Sequence, residues 1–122
     1  MINNLFTFDH RQALALQAHL CLRYGHYEHA ATLLHALSYL DPHNTKARLS
    51  LAYVWLAQNK TQEALALLEQ QIDIADKNLL MVSALLKAKA HNKLGNRHKA
   101  DIYTRVYLAS SERMRLAQEE TL

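Results

Sequence analysis

The chain has 122 residues, enough for one domain, and half of them are hydrophobic, with only 2 glycines and 1 proline. So few breakers exclude the frequent turns of an all-β fold, and no apolar run is long enough to span a membrane. A formal net charge of +3 argues only weakly for a polyanionic partner, and Cys21, being alone, excludes an internal disulfide and fits a reducing compartment.

Residues 1–10 contain Asn3, Asn4 and Asp9 and lack the basic start of a secretory signal, so they are not expected to be one. The first helix is expected to begin at Asp9, with Gln12 completing a capping box and Phe8 placed to staple the entry against Ala13. It runs through Leu14, Ala18 and Cys21 and stops at Gly25, a residue free to turn left-handed. A second helix follows from about Tyr27 and ends before Asp41-Pro42, because the residue before proline is pushed out of the helical region. Asn44 or Thr45 caps a third helix through Leu51, Ala52 and Trp55, and Asn59 takes the place of Gly25 at its end. Thr61 is expected to cap a fourth, carrying Ala64, Leu67, Leu68 and Ile72. Asp76 or Asn78 opens a fifth with Leu85, Ala88 and Leu94, stopped by Gly95. The sixth starts near Arg97 and includes Ala100, Tyr103 and Tyr107, and beyond Ser110-Ser111 a polar segment either caps the array or frays.

These helices repeat. Ala18, Ala52 and Ala88 are spaced by 34 and then 36 residues, and so are Gly25, Asn59 and Gly95, and Ala30, Ala64 and Ala100. A fixed period in this range marks a stacked helical solenoid whose units share their core. The extra two residues are expected in the 76–80 connection. Small side chains at the crossings let the helices of a hairpin approach closely, since a larger residue there overpacks the contact.

Ala18, Gly25, Tyr27, Ala30 and Leu40-Asp41-Pro42 resemble a nearly complete tetratricopeptide repeat. The next copy keeps Ala52, Asn59 and Ala64 but has Asp76 where the terminal proline usually stands, and the third keeps Ala88, Gly95 and Ala100. The resemblance implies an all-α fold of three helix–turn–helix units stacked as a short right-handed solenoid, at about 11–44, 45–78 and 81–110 within a single domain of residues 1–122, plus a polar helical tail over 111–122. Gly25-His26, Ala30, Leu33-Leu34, Ala36-Leu37, Leu40 and Pro42, with the compact domain size, also resemble the small chaperones of bacterial type III secretion, of the YscY type. That resemblance implies a non-enzymatic cytoplasmic chaperone without cofactor. It would hold a small exported component of the YscX type in a concave groove and help deliver it to the cytosolic domain of the export gate.

In such an array the first helix of each unit lines the concave side, and its inner stripe is not needed for packing. The stripe reads Ala15, His19 and Leu22, then Leu49, Tyr53 and Leu56, then Val82, Leu85, Lys89 and Asn92 or Lys93. An apolar groove with basic residues at one end suits an amphipathic helix or an extended segment. Lys77, Lys87, Lys89, Lys93, Arg97 and Lys99 form a run without an acidic residue. It is either a solvated helix face or a clamp for an acidic stretch, and it lacks the interleaved aromatics of an RNA-binding surface. The lysine and asparagine clamp of heat-shock co-chaperones is missing, because Ala15, His19, Ser50, Val82 and Leu86 stand at its places.

Other chemistries find less support. No phosphate loop, nucleophile elbow or HExxH is present. His26 and His29 share a helix face, but no carboxylate or cysteine cluster completes a four-ligand metal set. His91, aligned with Cys21 and Trp55, is expected to be a satisfied core histidine. The alternative to a chaperone is a module that self-associates through Leu5, Phe6, Phe8 or the groove, as a homodimer.

Overall fold

Three residues in the left-handed region punctuate the chain: Gly25 at φ +77°, Asn59 at +63° and Gly95 at +79°. Each closes a helix in the same way. The amide of the residue after the turn donates back to Cys21, Trp55 or His91, through His26, Lys60 and Asn96 at 2.8, 2.7 and 2.8 Å. The left-handed residue's own amide reaches the carbonyl three residues before it, so the last carbonyls are satisfied without a side chain.

The computed structural model describes residues 2–70 and 74–121, with side chains described over 11–70 and 74–120. The described residues form six helices and no strand: α1 (Ile2–Arg23), α2 (Tyr27–Leu40), α3 (Thr45–Ala57), α4 (Thr61–Glu69), α5 (Lys77–Lys93) and α6 (Arg97–Thr121). The fold of the described residues is all-α. α2 ends where Pro42 requires, with the Asp41 amide still donating to the Leu37 carbonyl at 2.8 Å. Asn44 caps α3 by accepting from the Ala47 amide at 3.1 Å. Asp76 caps α5 by accepting from Asn78 at 2.8 Å and Leu79 at 3.4 Å.

Two compact units result. In residues 1–60, α2 packs against both α1 and α3. The buried residues of this unit include Ala18, Ala30, Leu34, Leu37, Leu51 and Val54. In residues 61–122, α5 packs against both α4 and α6. Its buried residues include Ala64, Leu68, Ala84, Leu86, Ala88 and Ala100. All six repeat alanines are thus buried.

Three boundaries differ from the sequence expectation. α1 starts at Ile2 instead of Asp9, because nothing from Ile2 onward breaks a helix and a potential cap is used only where the helix in fact stops. Thr61 is the first residue inside α4 and not its cap. α6 passes through Ser110-Ser111 without a break to Thr121, and Arg115 ties the polar segment by pairing with Glu112 and Glu119 one turn away on either side. Ile72 lies outside the described residues.

Candidate partner-binding site

The 3.6-residue period of α1 brings Ala15, His19 and Leu22 to one side, with Leu16 beside them. Opposite, the Asn44 cap starts α3 so that Lys46 and Ser50 face the same space. Between the two helices lies an open cavity of about 390 Å³, floored by Leu34 and Leu37 of α2. Ala18 and Ala47, both buried, keep the floor shallow enough for the walls to stand apart. The walls are apolar apart from His19 on the α1 side and polar to cationic on the α3 side.

α3 corrects part of the expected stripe. Leu49 and Leu56 are 7% and 4% exposed and belong to the core, not to a contact surface. The physical reason is that α3 is buried on two sides, Ala47/Leu51/Val54 on one and Leu49/Ala52/Leu56 on the other. The open strip of the helix is Lys46, Ser50, Tyr53 and Ala57, about one residue out of phase with the expected one. Tyr53 stays on that strip, 43% exposed, and interacts with Tyr27 of α2. The neighbouring charge of Tyr53, and then its hydrogen bond, push the Tyr27 hydroxyl above its ordinary value of 10.0. Lys46 and Ser50 were missed as a pair, although their four-residue spacing on a predicted helix is a readable stripe.

In the second unit Val82, Lys89, Asn92 and Lys93 are exposed on α5 and Leu85 is half-buried. Lys87 leaves the charge run for a local role, its Nζ lying 5.4 Å from the centre of the Tyr103 ring. Lys93 is also engaged within the protein. His91 is 3% exposed and stacks on Tyr103 at 5.6 Å between ring centres. It is a core histidine, as expected. Both ring nitrogens lack a hydrogen-bond partner among the described residues, Nε2 lying 3.8 Å from a Glu69 oxygen. Among the described residues, no three His, Cys, Asp or Glu side chains gather as a metal site.

A family model described as Tetratricopeptide repeat matches residues 22–90, more than half of the chain. The chain belongs to the tetratricopeptide-repeat family. The matched stretch runs from the end of α1 almost to the end of α5 and includes the left-handed turns at Gly25 and Asn59. Tetratricopeptide repeats are protein–protein interaction modules. No curated protein matches this tetratricopeptide-repeat chain. None of its described helices is long and apolar enough to cross a membrane.

Proposed function

We propose that this tetratricopeptide-repeat protein is a non-catalytic binding module that holds a short amphipathic segment of a partner protein between α1 and α3. The observation that carries this reading is the cavity of about 390 Å³, walled by Ala15, Leu16 and Leu22 on one side and Lys46 and Ser50 on the other. Its apolar wall takes side chains at helical spacing, and Lys46 favours an acidic residue on the opposite face of the segment.

The finer form of the reading is a bacterial cytoplasmic chaperone of type III secretion. It masks apolar surface on a small exported component of the YscX type and delivers it to the export gate. The resemblance of residues 25–42 to the first repeat of YscY-type chaperones supports it.

Co-purification of the full chain with a YscX-type protein tests both levels. Ala15→Trp fills the cavity from an exposed position, and Lys46→Glu reverses its charge. Each should reduce capture at least about tenfold, a change of about 1.4 kcal/mol, while helical circular dichroism is unchanged. Capture that ignores both variants overturns the groove. Absence of capture, with retained binding of an acidic amphipathic peptide, overturns the secretion reading alone.

A further inference from the structure

We propose that His19 is a proton-dependent anchor for the acidic face of the segment held between α1 and α3, an inference that rests on the binding reading above. Eleven residues line the cavity, and His19 and Lys46 are the two among them able to carry charge. None is a carboxylate. The two stand on opposite walls, His19 on α1 and Lys46 on α3, and both are exposed. A lysine is cationic throughout the neutral range, whereas a histidine changes charge within it. His19 is the one histidine of the lining, so the cavity carries one positive charge or two according to a single proton.

The proton enters with the partner. Lys46 faces His19 across the cavity, and Arg23 stands one turn further along the same helix. From α2 the lining takes Leu34 and Leu37, which carry no charge. In the free protein these like charges disfavour the imidazolium, and a carboxylate of the bound segment supplies the opposite charge. Once protonated, both ring nitrogens donate, and a charge-assisted bond to the carboxylate replaces a neutral contact. By linkage, whatever factor the partner adds to the hold on the proton, the proton adds to the hold on the partner. An opposite charge at close range favours the charged form by about tenfold or more. Affinity for an acidic segment is therefore highest below the histidine range and falls as pH rises through it. The partner's own carboxylates titrate near about 4 and keep their charge across that window.

Fluorescence anisotropy of a labelled amphipathic peptide of leucine, alanine and glutamate, free of histidine, tests this on the full chain. The natural protein should bind it about tenfold more tightly at about pH 5.5 than at about pH 8. His19→Gln, a change at an exposed position, should match the natural protein at the higher pH and show the same affinity at the lower one, with its helical circular dichroism intact. An equal or weaker affinity of the natural protein at the lower pH, or a ratio that persists in His19→Gln, overturns the inference and leaves the groove standing. Absence of binding at both pH values overturns the groove reading itself, and this inference with it.

Discussion

Replacing Gly95 with alanine isolates one physical cause. A Cβ built at Gly95 meets nothing within 4 Å, so the substitution creates no clash. What it creates is an L-residue at φ +79°, where the side chain crowds the following carbonyl by about 1–2 kcal/mol. Against this, alanine restricts the unfolded chain and returns about 0.4–1 kcal/mol. The net loss is about 1 kcal/mol. With a urea slope of about 2 kcal/mol per molar, the unfolding midpoint should fall by about 0.5 M. Gly95→Asn should lose less, because asparagine tolerates this backbone, as Asn59 does at φ +63° in the equivalent turn. Urea melts followed by circular dichroism measure all three proteins. If Gly95→Ala equals or exceeds the parent, or if asparagine costs as much as alanine, the left-handed turn does not explain the glycine.

Leu49→Asp should leave the protein largely unfolded, since it buries a charge in the core, whereas Tyr53→Asp, one turn away and exposed, should keep the helical spectrum. Equal effects would show that α3 is not oriented as described. Asp76→Ala should lower stability by about 1 kcal/mol and Asp76→Asn by less, because the amide oxygen still accepts from Asn78 and Leu79. Thermal melts of the two variants give the comparison, and a neutral alanine would dismiss the cap. Hydrogen bonding from Arg115, and then its charge, hold the Glu112 carboxyl below its ordinary value of 4.5. A depressed carboxylate contributes stability above the unfolded value and loses it as pH falls through the folded one. An NMR titration should therefore place Glu112 below 4.5 and return it towards 4.5 in Arg115→Gln. A midpoint that does not move would remove the pair from solution.

Local chemistry made most of the fold readable. Gly25 and Pro42 bracket α2 as expected, Tyr27–Leu40, because a left-handed turn and a proline act through their own backbone. Asn44 and Asp76 were each half of an open choice of cap, and both proved to be the acceptor. The start of α1 was not readable, since a capping residue marks where a helix is able to start and not where it must. The lining of the cavity was legible only where one face of a helix packs. α1 satisfies this at Ala15, His19 and Leu22, which all line the cavity. α3 does not, because a helix buried on two sides carries leucines all round and its hydrophobic pattern no longer fixes the phase. There Lys46 and Ser50, the residues that interrupt the apolar pattern, carry the information.

The alanines that let the helices approach also leave little bulk inside. Leu51 and Val54 are the largest side chains fully shielded from water among the described residues. Each buried methylene adds about 0.8 kcal/mol, so an interior in which nine of the seventeen buried hydrophobic residues among the described ones are alanines holds a smaller reserve against heat than a leucine-filled one. A ligand that binds only the folded form adds RT ln(1 + [L]/Kd) to that reserve, about 2.7 kcal/mol at a hundredfold excess over Kd. On the binding reading proposed above, occupancy of the cavity would add a major share of the protein's heat resistance. Its melting temperature in a lysate would report whether the partner is bound, and its lifetime in the cell would follow the partner's supply.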